Sequence, residues 1–214
     1  MTKILLVSSP KGGSGKSVLA RHLMVSAAQD GISVLGVDYD RQSTFCKWGE
    51  RRKATRVKFP EFVDAEVVHG DLKNWRSSIA DGKEKSLLIV DTPPSVEDHL
   101  AAITQLSSQS DMILVPAVCT QDDMDSVAPW IQVMIEHNKN AVIVLNRANR
   151  RTTSFARVRG RLIKLAEVCP VEIPQLEDVH VPSSKGLTLL DYTKSKGQAS
   201  FEEIWAFVRR RLGL

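Results

Sequence analysis

The run Lys11-Gly12-Gly13-Ser14-Gly15-Lys16-Ser17 follows a short apolar stretch and precedes a helical pattern, and no other feature of the chain restricts its fold as much. Glycines let the backbone curl around an anion with its N–H groups turned inward, and a helix starting behind them adds its dipole. Lys16 supplies a point charge for β- and γ-phosphates, and Ser17 a hydroxyl for Mg²⁺. Such a loop works only between a strand and a helix, which makes the chain α/β. Five fixed residues plus Ser or Thr arise by chance at this length with a probability on the order of 10⁻⁵. The ligand predicted is a nucleoside triphosphate.

The remaining pattern agrees. Apolar, β-branched runs predict strands over 3–9, 33–38, 86–91, 111–118 and 140–146, with helical spacing over 17–28, about 96–107, 122–138 and 152–168. Repeated units of this size imply one doubly wound domain over 1–214, with a mostly parallel central sheet and helices on both faces. The stretch 55–70 is the least regular and reads as a crossover loop with a short strand over 65–69. Residues 187–192 and 200–212 are predicted helices, the latter amphipathic through Phe201, Ile204, Trp205, Val208 and Leu212. With 214 residues, 43% hydrophobic and 25% charged, the chain can bury a core without disulfide or metal support. No apolar stretch reaches the roughly 18 to 20 residues of a membrane span, and the opening residues are too few for a secretory signal. A soluble cytoplasmic protein is expected. Cys46, Cys119 and Cys169 lack CxxC or Cys/His spacing and are expected as buried thiols.

Two acidic strand ends complete the candidate site. Asp38 and Asp40, in Val37-Asp38-Tyr39-Asp40-Arg41-Gln42, stand where a parallel strand delivers its last residues into a ligand crevice; a carboxylate there can hold Mg²⁺, orient water or pair with a lysine. Leu87-Leu88-Ile89-Val90-Asp91-Thr92-Pro93-Pro94-Ser95 is an apolar strand ending in aspartate, the form of a Walker B motif. Alone, a strand followed by Asp is also an ordinary helix N-cap; in order behind the phosphate loop it is a site element.

The loop departs from G-x-x-x-x-G-K-[ST] in having Pro10 at the first glycine position and a second lysine, Lys11, after it. In this it resembles the deviant phosphate loop of the ParA/MinD family of dimeric ATPases, and the resemblance runs over most of the chain. It implies ATP and Mg²⁺ as cofactors, an ATP-sandwich homodimer, and slow ATP hydrolysis stimulated by a partner. By the match, Lys11 reaches across the dimer to the partner's phosphates. The aspartate segment is similar to the family's D-x-D-P-Q, with Arg41 in place of proline. Asp40 is thereby implied to position the attacking water, and Asp38, with Asp91 and Ser17, to order the metal. Asn146 is implied to read the adenine edge, and Pro174, in the loop from Ile173 to Thr188, to cover the base; Leu176 stands where many relatives have arginine.

Net charge is 29 − 25 = +4, but its distribution is lopsided. Arg147, Arg150, Arg151, Arg157, Arg159, Arg161 and Lys164 fall in one stretch without an acidic residue. A doubled patch on a dimer would bind DNA without sequence preference. The resemblance then implies a ParA-like ATPase that partitions or positions a plasmid, chromosome region or protein cargo, with a ParB-like adaptor and nucleoid association in the ATP state. The C-terminal helix, ending in Arg209-Arg210-Arg211, offers the alternative of a MinD-like membrane anchor, although Glu202 and Glu203 oppose anionic lipid. An ATP-dependent synthetase of the dethiobiotin synthase type is the other alternative; it needs a substrate-carboxylate site that the sequence does not display.

Overall fold

Each central strand is apolar at every position, so it must be covered on both faces, which a parallel sheet with helical crossovers provides. The structure, a computed structural model, describes residues 1–94, 96–176, 179 and 181–214, apart from the side chain of Glu97. Ser95 of the third motif, and Glu177, Asp178 and His180 of the base-covering loop, lie outside the described residues.

Seven parallel strands form one sheet: β1 (Lys3–Val7), β2 (Val34–Asp38), β3 (Glu66–His69), β4 (Leu87–Asp91), β5 (Met112–Val118), β6 (Ala141–Asn146) and β7 (Glu167–Val168), in the order β3-β2-β4-β1-β5-β6-β7. The helices are α1 (Lys16–Gln29), α2 (Thr44–Lys58), α3 (Trp75–Asp81), α4 (Leu100–Gln109), α5 (Gln121–His137), α6 (Thr153–Leu162) and α7 (Gln198–Leu212). Side chains alternate across β1. Leu5 and Val7 join α1, α2 and α7 in one core, while Ile4 and Leu6 join the core formed with α4, α5 and α6 on the other face. The chain leaves β1 toward one edge and later returns past it to the other, so the carboxyl ends of β1, β2 and β4 border a topological switch point, where open α/β sheets bind ligands.

Three expectations are corrected and one helix is added. Residues 44–58 form a full helix that the pattern did not assign, because a charged residue interrupts the apolar stripe of its buried face, Phe45, Trp48, Gly49 and Arg52. The helix expected over 152–168 ends at Leu162, and Glu167–Val168 adds an edge strand beside β6. Residues 187–192 make a single 3₁₀ turn, closed by a capping box between Thr188 and Asp191, rather than a helix. Cys46 is half-buried; Cys119 and Cys169 are buried, and all three are free.

The stripe on α7 is not available as a surface. Phe201, Ile204, Trp205, Val208 and Leu212 are buried in the core against α1. At about 2 kcal/mol per side chain, exposing them to water would cost on the order of 10 kcal/mol, which keeps the helix docked in the single chain. Among the described residues no helix is long and apolar enough to cross a membrane.

Candidate functional site

The phosphate loop delivers α1 with an uncapped start. Its N-cap, Gly15, is left-handed (φ 101°), makes no side-chain cap bond, and no acidic residue stands in the first turn. By contrast α5 and α6 are capped by Thr120 and Thr152. Uncapped N–H groups at a helix start are an anion site. Gly15 is required for packing as well as for its φ: a Cβ there would lie 2.1 Å from Asn146 Nδ2. That approach lets Asn146 Nδ2 donate to the Ser14 carbonyl at 2.8 Å, while Asn146 Oδ1 accepts from the Arg147 N–H at 2.9 Å. Asn146 thus braces the loop from the end of β6.

Lys16, only 7% exposed, folds back to donate to the carbonyls of Ser9 and Lys11, both at 3.2 Å. Burial lowers its pKa, and Asp91 and Asp40 pull it back up. Asp91 at the end of β4 is 1% exposed, and neither carboxylate oxygen has a hydrogen-bond partner among the described residues. Burial pushes its carboxyl up to about 7; the Ser17 hydroxyl and Lys16 draw it down, and Asp38 and Asp40 add to the rise. A buried carboxylate with both oxygens unmatched calls for a cation. Mg²⁺ takes one or two protein oxygens and otherwise phosphates and water, so Asp91 with the Ser17 hydroxyl fits it.

Asp38 has a different occupation. It is fully buried, with Oδ2 accepting the N–H groups of Phe45 and Cys46 at 3.0 Å and Oδ1 that of Asp40 at 2.9 Å. Its carboxylate therefore caps α2, whose N-cap residue Ser43 makes no side-chain cap bond. Burial raises its pKa against the pull of these N–H groups. Asp40, held by this turn, reaches the crevice.

A crevice of about 670 Å³ collects Gly12, Gly13, Gly15, Lys16, Ser17 and Asp40. It adds Arg21, Arg51 and Ser183, which the sequence reading did not single out, and Arg147 from the basic stretch. Arg21 stands one helical turn beyond Ser17 on the same face of α1, a spacing that could have flagged it. It is 3% exposed and donates to Ser183 Oγ (2.6 Å) and the Val179 carbonyl (3.3 Å). Burial, then Arg51, holds its pKa down to about 10. Asn146 and Pro174 border a separate slot of about 30 Å³ with Gly15, Arg147 and Leu176. Lys11 does not line the crevice; its ammonium lies 3.2 Å from Asp123 Oδ1.

The basic stretch is divided. Arg147 turns with positive φ (50°) into the crevice, and Arg150 pairs with Glu172, an acidic residue from beyond the stretch. On α6, Phe155, Val158 and Leu162 face the core. Arg157 and Arg161, one turn apart, share one flank of this buried stripe, and Arg159 falls on the other. Arg151 and Lys164 are exposed.

The model of the CbiA family, the CobQ/CobB/MinD/ParA nucleotide binding domain, matches residues 5–189. The chain belongs to this family. The resemblance to the ParA/MinD family is upheld by it, and the P-loop fold by the solved structures that follow. Among solved structures, a plasmid partition protein of Borrelia burgdorferi bound to AMPPNP superposes with TM-score 0.74 at 16% identity, covering 98% of this chain and 100% of that one. MinD of Aquifex aeolicus in complex with MinC gives 0.78 at 16% identity, covering 98% and 96%. Cobyrinic acid a,c-diamide synthase of Mycobacterium smegmatis with ADP and magnesium gives 0.69 at 17% identity, covering 98% and 95%. No curated protein matches the chain. At these identities the likeness is one of fold, and the family statement rests on the CobQ/CobB/MinD/ParA match.

Proposed function

We propose that this chain is a ParA-type ATPase, one domain over 1–214, that closes into a homodimer around two Mg·ATP and in that state binds DNA without sequence preference. The observation that carries the reading is that Lys11, part of the phosphate loop, does not line the crevice of its own chain while Lys16 does. A loop lysine whose ammonium is turned from its own crevice to Asp123 leaves that crevice to Lys16 and suits a neighbouring one. In this reading Lys16 and the N–H groups of residues 12–17 hold the phosphates, and Ser17 and Asp91 hold Mg²⁺, with Asp38 ordering the turn beside them. Asp40 orients the attacking water, and Asn146 and Pro174 flank the base. Mg²⁺, when bound, supplies charge neutralisation at the phosphates; the protein contributes positioning and electrostatics. Hydrolysis removes the contacts that favour the closed pair, which makes the reaction a change of state. A stimulating adaptor and a partitioned or positioned cargo belong to this reading, as does association with the nucleoid in the ATP state.

Sedimentation of the Asp40→Ala variant with Mg·ATP, with Mg·ADP and without nucleotide tests it, paired with DNA retention under the same conditions. Dimers and DNA retention with ATP alone are expected; a monomer at saturating ATP would sink the proposal.

One observation favours a second reading, an ATP-dependent synthetase. Arg21 and Arg51 line the phosphate crevice and make no ion pair among the described residues, so a substrate carboxylate could sit between them and the γ-phosphate. ATP turnover dependent on an added carboxylic acid, with no DNA retention, would decide for it.

A further inference from the structure

The partner that Lys11 has in the single chain was not foreseen from sequence. Its ammonium lies 3.2 Å from Asp123 Oδ1, the lysine side chain 39% exposed and the aspartate 4%. Asp123 is built into its place. It is the third residue of α5, its N–H donates to the cap oxygen of Thr120 at 3.2 Å, and its Oδ2 accepts the Val118 N–H at the end of β5. The helix start favours its negative charge. The backbone of Lys11 is held as well, its carbonyl accepting from Lys16 Nζ. The lysine is thus secured at both ends, to its own phosphate-binding residue and to a buried carboxylate.

We propose that Asp123 is a positioning residue for Lys11: it latches the lysine in cis in the nucleotide-free chain and releases it only when a partner's phosphates compete for the ammonium. The proposal rests on the sandwich-dimer reading above. Its physical basis is that a nearly buried carboxylate cannot lose its cation cheaply, since one N–H would remain to face a full charge. Lys11 therefore stays home against a weak competitor and leaves for a triphosphate. Two latches must open per dimer, so the closed pair responds to nucleotide on both chains. The latch lowers the population of the binding-competent chain, and apparent affinity falls by that fraction.

Asp123→Asn keeps an acceptor for the Val118 N–H and removes the charge. In the nucleotide-free chain, brief acetylation followed by peptide mass spectrometry reads Lys11 against exposed Lys53 as internal reference. The Lys11-to-Lys53 ratio should rise on the order of tenfold in Asp123→Asn, as for loss of a charge-assisted bond, and return to a low value in Asp123→Glu. In an Asp40→Ala background, the ATP concentration giving half-maximal dimer should fall by a similar factor in Asp123→Asn. If Asp123→Asn does not fold, Asp123→Ser, which keeps an oxygen near the Val118 N–H and removes the charge, takes its place with the same selective acceleration expected at Lys11. An unchanged labelling ratio overturns the latch. Faster labelling with an unchanged ATP midpoint overturns its positioning role. Absence of any dimer overturns the sandwich reading and the purpose of the latch together, and the labelling ratio distinguishes that failure from the first.

Discussion

Arg52 and Asp191, 139 residues apart, meet in a two-pronged ion pair, both bonds 2.9 Å, with side chains 0% and 1% exposed. The guanidinium also donates to the Val63 and Gly186 carbonyls, and the carboxylate accepts from the Thr188 N–H and hydroxyl. This ties α2, which starts a few residues after Asp40, to the segment that carries Ser183 into the crevice. Removing one partner strands the other charge. Arg52→Met should cost about 3–5 kcal/mol in denaturant titration. A loss under about 1 kcal/mol would mean that the pair is not buried in solution.

Gly15→Ala should impair the site more than the fold. The added Cβ strains a left-handed residue and pushes Asn146 off the Ser14 carbonyl. A stability loss of about 1–3 kcal/mol is expected with at least a tenfold loss of nucleotide affinity. Calorimetric titration checks it, and wild-type affinity would contradict the bracing role of Asn146.

Asp91 makes stability and nucleotide binding depend on pH in opposite directions. Its folded pKa, about 7, lies above the ordinary 3.8, so between those values the folded chain holds a proton that the unfolded chain has lost. Stability from this group is therefore lost as pH rises from about 4 to about 7 and is flat above. Mg²⁺ must displace that proton, so Mg·ATP affinity should rise over the upper part of the same range. Asp91→Asn should stabilise the nucleotide-free chain at pH 8 by on the order of 2 kcal/mol and weaken metal-dependent binding. Melting with and without Mg·ATP across pH measures both, and a destabilised Asp91→Asn chain would oppose the assignment.

Asp38→Ala should lose stability even without ligand, because it leaves two backbone N–H groups at the start of α2 and that of Asp40 in the turn before it without their acceptor. About 2 kcal/mol or more is expected, with Asp38→Asn losing less. Equal melting of wild type and Asp38→Ala would leave metal ordering as its sole task.

On α6, Arg157→Glu with Arg161→Glu changes one flank, whereas Arg159→Glu changes the other. The double variant should lose most ATP-dependent DNA retention at low salt, and Arg159→Glu little of it. Equal effects of the two would place the contact elsewhere than on the Arg157–Arg161 flank.

Phosphate loop, strand ends and sheet class were legible because they rest on local rules: glycine and lysine spacing around an anion, apolar runs that only a covered strand tolerates, and an acidic residue where such a strand stops. α2 escaped because Arg52 occupies a core position, and a binary reading takes arginine for surface until Asp191 is seen beside it. The basic stretch read as one patch, since the pairing of Arg150 with Glu172 and the turn of Arg147 into the crevice depend on residues distant in sequence.

What the chain's letters determined by themselves is therefore the kind of ligand and the layered α/β frame, both properties of residues within a few positions of one another. Tertiary structure alone decided which charges are spent on the protein and which remain for a ligand. Asp38 is occupied by α2, Asp91 is left unmatched, and Lys11 is held by Asp123. Charge compensation depends on distances of a few ångströms between groups far apart in the chain, as Lys11 and Asp123 or Arg52 and Asp191 are, and no local pattern encodes them.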